Sequence, residues 1–240
     1  METAASLRQG RRAWIAAAAV LAALAASCRT NGPEEHTLTV LLTGFEPFGP
    51  HKLNSSWEAI RGIAPDTVAG ARIDVAQLPV DYAVATRRLE QELRRLRPDV
   101  VICFGMAAAR KTVSLELEAR NLDREAAPDV SGTIRKETPV VRSGPETYAP
   151  TLHVEEIRAA LKDAGLPARR SHNAGGYVCN HVFYRLMHAT RRRRTCAGFV
   201  HVPAVRSKQV DGLTRRQLRR TAVTIVRAEV AAIRGGERAR

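Results

Sequence analysis

Cys179 follows a paired glycine, Gly175-Gly176, and precedes a run with the spacing of one helix face: Val182, Phe183, Leu186 and Met187. Glycine permits backbone angles that other residues resist, so Ser171 to Asn180 reads as a turn entering a helix. Cys179 then sits in the first turn, where unpaired backbone N–H groups and the helix dipole favour an anion. A thiolate is such an anion, and it is the reactive form of cysteine. A lone cysteine is more often a buried structural residue. What changes the reading is Gly198-Phe199-Val200-His201-Val202-Pro203, a short apolar strand that carries a histidine. A cysteine with a histidine distant in sequence is the pattern of a thiol hydrolase, in which the imidazole takes the thiol proton.

An imidazole used as a base needs an acceptor on its other nitrogen to fix the tautomer, and a carboxylate supplies it. Val113 to Asn121, a strand-like or irregular segment, offers Glu116 and Glu118. Only one of them can face His201. His172, Cys179 and His181 lie close in sequence, but no second ligand pair accompanies them, so no metal site is read there. No metal or organic cofactor is implied.

The elements that must position these residues alternate in type. Leu38 to Thr43 is an apolar, β-branched first strand, emptying into Gly44-Phe45-Glu46-Pro47-Phe48-Gly49. Ser55 to Glu58 reads as a capping box opening a helix through Ile60. Arg72 to Leu78 is a second strand, and Asp81 caps a helix from Tyr82 to about Leu96. Asp99 to Phe104 is almost wholly apolar, as expected of a central parallel strand, and Gly105 breaks it. Arg124 to Arg142 reads as a long loop with a short hairpin. Tyr148 to Ala164 is helical, and Ala197 to Val202 is a strand. Thr214 and Gln217 form a capping box for a last helix through Ile233, ended by Gly235. Such alternation predicts a single-domain, three-layer α/β/α fold with a mixed, largely parallel central sheet.

The chain has 240 residues and a formal net charge of +14. The charge is mostly arginine spread over helix faces and the Arg191–Arg194 run, and aromatics are 5% of residues. With no recognisable nucleic-acid motif, this reads as solvated surface rather than a nucleic-acid interface. Four cysteines contain no CxxC pair, and Cys103 sits in an apolar strand as a core residue would. Arg8, Arg11 and Arg12 precede an apolar run from Ala13 to Ala26 with a small-residue exit, the layout of an export signal. Leu24-Ala25-Ala26-Ser27-Cys28 resembles a lipoprotein signal with Cys28 as the lipidated residue. The expected organisation is therefore a signal over 1–28, a linker over 29–37, the α/β domain over 38–234 and a basic tail over 235–240. The protein is expected to be exported, periplasmic or held at a membrane surface through Cys28, with a cytoplasmic protein as the alternative.

Taken together, the motifs resemble the type I pyroglutamyl peptidases, or pyrrolidone-carboxylate peptidases, from about Leu38 to Val205. The family's opening loop is similar to Thr43-Gly44-Phe45-Glu46-Pro47-Phe48-Gly49 followed by Asn54, and Leu78-Pro79-Val80 matches another short element. The glutamate signature appears as Gly105, Ala108, Val113, Ser114, Glu116, Ala119 and Asn121, and its spacing to Asn121 favours Glu116 over Glu118. The cysteine signature appears as Ser171, Ala174, Gly175, Tyr177, Val178, Cys179 and Asn180, and the histidine element as His201-Val202-Pro203. The sequence departs from the family at Ser55, Leu117, Glu118, Ala126, Arg170 and Asn173. The resemblance implies a cysteine peptidase that removes N-terminal pyroglutamate from peptides, with Cys179 as nucleophile, His201 as base and Glu116 orienting His201. It assigns the substrate slot to Phe45 and Phe48, with Asn54 supporting the loop, although core packing would equally explain two phenylalanines. It leaves room for a homo-oligomer. Two other readings fit the same residues: an amide hydrolase with a different acyl specificity, and a non-catalytic exported binding protein.

Overall fold

The computed structural model describes residues 36–63, 67–125, 127–166, 168–207 and 212–238. Seven strands form the main sheet: β1 (Thr39–Phe45), β2 (Thr67–Val68), β3 (Ala71–Leu78), β4 (Val100–Met106), β5 (Val113–Glu116), β10 (Ala168–Ser171) and β11 (Cys196–Val202). Their order is β10-β5-β11-β4-β1-β3-β2. The central four, β11, β4, β1 and β3, are parallel. β5 runs antiparallel to β11 and carries β10 parallel to itself at one edge, and β2 closes the other edge antiparallel to β3. Two small ribbons lie outside this sheet: β6 (Ala119–Arg120) with β9 (Thr147–Tyr148), and β7 (Asp123–Glu125) with β8 (Arg135–Thr138).

Successive side chains of a strand point to opposite faces, so a sheet buried on both sides needs two apolar sets. One face carries Val40, Leu42, Ile102, Phe104, Leu115, Val200 and Val202, covered by α1 (Ser55–Ile60), α3 (Val154–Asp163) and α5 (Arg215–Arg238). The other carries Leu41, Val101, Cys103, Ala197 and Phe199, covered by α2 (Tyr82–Leu96) and α4 (Val178–Thr190). The result is the expected three-layer α/β/α arrangement. α2 shows why the pattern was readable. Asp81 accepts from the Val84 N–H at 2.7 Å, while Ala85, Leu89 and Leu93 form the buried stripe. Each buried leucine is worth about 1.5–3 kcal/mol relative to exposure, more than helix propensity supplies.

Several boundaries differ from expectation, each for a physical reason. Asn54, not Ser55, caps α1: its Oδ1 accepts from the Ser56 N–H at 3.1 Å, and Ser55 is buried inside the helix. α3 starts at Val154 rather than Tyr148, because Tyr148 pairs with Ala119 and Thr151 is tied to Ala197 through its N–H and its hydroxyl. β4 continues through Gly105 to Met106. α5 begins at the expected Thr214–Gln217 box but runs through Gly235 to Arg238, since glycine weakens a helix without forcing it to stop. β10 has the sequence Ala-Arg-Arg-Ser, a charged edge strand with no apolar alternation to reveal it. The expected 1–28 signal, with Cys28, and residues 29–35 of the expected linker lie outside the described residues, as does Ala126.

Candidate active site

β11 places His201 one residue from its C-terminal end, on the face that carries Phe199 and α4. In the antiparallel pairing with β5, Phe199 lies opposite Glu116, which puts the Glu116 carboxylate on that same face. The His201 Nδ1 is 2.8 Å from Glu116 Oε1, and both residues are buried. Two residues apart in one strand, Glu116 and Glu118 would share a face. β5 ends at Glu116, however, and Glu118 turns out to pair with Arg120 Nε at 2.6 Å.

Cys179 is the second residue of α4, which packs over the same face. No side chain caps this helix, so its first N–H groups have no side-chain acceptor. The turn before it is shaped by two glycines. Gly175 has φ +84°, a left-handed conformation that favours glycine. A Cβ on Gly176 would lie 2.6 Å from the Arg124 carbonyl oxygen, and the Gly176 carbonyl accepts from the Arg124 N–H at 2.9 Å. The β7–β8 ribbon is thus stitched onto the cysteine turn. Asn180 extends the stitching: its amide accepts from the Arg120 N–H and donates to the Arg120 and Leu122 carbonyls. His181 points elsewhere, with its two ring nitrogens on Asp123 and Thr86 at 2.8 and 3.0 Å.

Arg110, in the turn after β4, was not singled out from the sequence. Its guanidinium donates to Glu116 Oε1 and to the Asn173 carbonyl, so it joins the carboxylate to the loop that leads into Cys179. The only sequence signal was a basic residue six positions before Glu116. Gly105 was read as a strand breaker, but its role is space. A Cβ there would lie 2.7 Å from the Phe199 ring and 3.0 Å from His201 Cδ2.

The protonation states follow from burial and charge. Burial pushes the Cys179 thiol up to about 12, with Glu116 adding to the rise and Arg110 opposing it. Burial and Glu116 thus act against the lowering expected from the helix N-terminus. Burial also lowers the His201 imidazole, against the pull of Glu116 and with the help of Arg110. For Glu116 burial acts upward, yet the hydrogen bond and charge of His201, together with Arg110, hold it below the ordinary carboxylate value. The resting group is thus a neutral thiol, a neutral imidazole and a carboxylate. A neutral imidazole with an acceptor on Nδ1 leaves Nε2 free to take a proton.

A cavity of about 540 Å³ is lined by Phe48, Gly49, residues 125 and 127–130, and Tyr177, which stands two residues before Cys179. Phe48 and Tyr177 come from the loops after β1 and before α4, and Tyr177 Oη donates to the Pro128 carbonyl at 2.9 Å. Phe45 is buried at the end of β1 and does not line the cavity. Asn54 Nδ2 donates to the Glu46 carbonyl at 2.9 Å, and Ser56 Oγ accepts from the Phe45 N–H, which ties the Phe45–Phe48 loop to α1.

Residues 38–236 match the pyroglutamyl peptidase family. The chain is 46% identical over 165 residues to a pyrrolidone-carboxylate peptidase of Chromobacterium violaceum, covering 69% of this chain and 77% of that one. It is 42% identical over 199 residues to the pyrrolidone-carboxylate peptidase of Clavibacter michiganensis subsp. michiganensis, covering 80% and 93% of the two chains. Among solved structures, pyroglutamyl peptidase I of Bacillus amyloliquefaciens superposes with a TM-score of 0.76 at 31% identity, over 81% of this chain and 97% of that one. The pyrrolidone carboxyl peptidase of Thermococcus litoralis gives a TM-score of 0.80 at 26% identity, over 83% and 96%. The chain belongs to the pyroglutamyl peptidase family.

Proposed function

We propose that the protein is a cysteine exopeptidase that cleaves the amide bond after an N-terminal pyroglutamyl residue, using Cys179, His201 and Glu116. The observation that carries this reading is the His201–Glu116 hydrogen bond on the sheet face where Cys179 begins α4, in a chain of this family. His201 Nε2 takes the thiol proton as sulfur attacks the carbonyl carbon, and Glu116 stabilises the imidazolium through Nδ1. The uncapped N–H groups of α4 receive the developing oxyanion. His201 then returns the proton to the leaving amine, and water hydrolyses the thioester by the same route. Pyroglutamate is a small, flat, neutral lactam, which suits an apolar slot with few polar contacts. Phe48 and Tyr177 supply the walls, Phe45 backs them from the core, and Asn54 holds the loop. The test is hydrolysis of a pyroglutamyl reporter beside ordinary aminoacyl reporters, with Cys179→Ser as control. Turnover confined to the pyroglutamyl reporter and lost in the variant is expected; turnover only on another acyl group would transfer the scaffold to a different amidase.

The same reading extends to location. Residues 1–28 are an export signal and Cys28 carries the lipid, leaving 29–37 as a tether. Two observations support it. The family match begins only at residue 38. The parallel strands also start at one end of the sheet, where exposed Arg94, Arg97 and Arg191–Arg194 cluster and where the chain enters β1; His201 lies at the other end. A tether at β1 would turn this basic end toward anionic headgroups and the catalytic end outward. Fractionation of wild type and Cys28→Ala tests it: wild type should follow the membrane and the variant should not. Soluble cytosolic protein retaining Met1 to Ser27 would end the export reading.

A further inference from the structure

β11 also carries Cys196, five residues before His201 and on the opposite face, about 16 Å away along the strand. Cys196 meets His153, the residue before α3, and Glu229 of α5. One donor atom from each side chain lies within 4.8 Å of the others. Glu229 is fully buried; its Oε1 is 3.0 Å from His153 Nδ1, and its Oε2 accepts from the His153 backbone N–H at 2.9 Å. Among the described residues no lysine or arginine pairs with it. Its hydrogen-bond partners, the His153 ring and backbone N–H and the Cys196 thiol, are all formally neutral donors, and a buried carboxylate without a cation beside it is costly. His153 and Cys196 are half-buried, so the group is open to solvent on one side.

We propose that His153, Cys196 and Glu229 bind a divalent cation of the zinc class. One sulfur, one imidazole nitrogen and one carboxylate oxygen are a borderline-soft donor set suited to tetrahedral coordination, with the fourth position left to water on the open side. Bonds of about 2.0–2.3 Å place ligand atoms some 3.5 Å apart, so from separations within 4.8 Å no pair need close by more than about 1.3 Å. Binding expels the thiol proton and moves the His153 proton to Nε2. The two charges of the cation are then cancelled by one thiolate and one carboxylate. The cation would clamp α3, β11 and α5 together, far from the peptide-cleaving group.

The test is a Co²⁺ titration of the purified protein carrying Cys179→Ser, which removes the other half-buried thiol among the described residues. The expected result is a thiolate-to-cobalt charge-transfer band that saturates at one equivalent, is displaced by Zn²⁺, and is accompanied by a Zn²⁺-dependent rise in Tm. Adding Cys196→Ser should abolish the band, and adding His153→Ala should weaken Co²⁺ binding at least about tenfold. Neither side chain is fully buried, so both variants should fold. A band that survives Cys196→Ser, or no band and no Tm change with all three residues present, overturns the proposal.

Discussion

Two Cys–His–Glu groups share this molecule, and strand β11 contributes to both. At its C-terminal end His201 meets Glu116 beside the start of α4. At its N-terminal end, on the other face, Cys196 meets His153 and Glu229. The residue types are the same, so the difference lies in placement. Glu116 shares its oxygen between His201 and the guanidinium of Arg110, which fixes the charge and leaves the imidazole's far nitrogen free. Among the described residues Glu229 has no such cation; His153 reaches both its oxygens and the Cys196 thiol also hydrogen-bonds it. Cys179 begins a helix with uncapped N–H groups, two residues after Tyr177 of the cavity wall, whereas Cys196 begins a strand. Composition does not make a nucleophile; a helix start, an oriented base and a place for substrate do.

The sharpest way to break this contrast is to exchange the thiols' fates. Cys179→Ala should lower kcat/KM by at least about a thousandfold with Tm nearly unchanged, while Cys196→Ser should leave turnover within about twofold. Steady-state kinetics beside thermal melts reads both; the opposite ranking would assign catalysis to the wrong face. Glu116→Gln should cost about a hundredfold or more, but less than loss of the thiol, because the amide can still accept from Nδ1. If Glu118→Gln proves more damaging, the orienting carboxylate has been misassigned.

The pH profile sharpens the comparison further. In the proposed mechanism the neutral form of His201 is the base, and burial lowers its pKa, so activity should persist below about pH 6.5, the ordinary imidazole value. Arg110 contributes to that lowering. Arg110→Gln should therefore move the acid limb of kcat/KM upward; an unmoved limb would show that Arg110 does not act on His201. Gly105→Ala should reduce kcat by about tenfold or more, since its Cβ would press on Phe199 and His201 and a small displacement of a base is expensive. Unaltered kcat would mean the strand yields instead.

The two phenylalanines should separate by what they change. Phe48→Ala should raise KM by about 5- to 100-fold through lost apolar contact, roughly 1–3 kcal/mol, with little change in Tm. Phe45→Ala should cost about 3–5 kcal/mol of stability, because its ring is buried. A KM effect confined to Phe45 would relocate the slot.

Cys179 and His201 stood out in the sequence because a thiol after paired glycines and a histidine in an apolar strand together form a thiol-hydrolase pattern, whereas the choice of Glu116 over Glu118 came from the resemblance to the family. α2 was legible because its cap and its apolar stripe are local. What stayed hidden depends on contacts between distant segments. Arg110 matters because a turn after β4 folds back onto β5. Gly105 looked like a breaker because the ring of Phe199, 94 positions later, cannot be seen from β4. α3 started late because Thr151 binds Ala197. The second Cys–His–Glu group joins residues 153, 196 and 229, which no spacing motif connects.

The most direct measurement of the central claim is covalent labelling with a pyroglutamyl chloromethyl ketone, followed by peptide mass mapping of the inactivated protein. The account predicts one label per chain, on the sulfur of Cys179, forming at a rate that parallels loss of turnover and is suppressed by pyroglutamyl substrate. Inactivation with the label on Cys103 or Cys196, or full activity retained with Cys179 labelled, would contradict it.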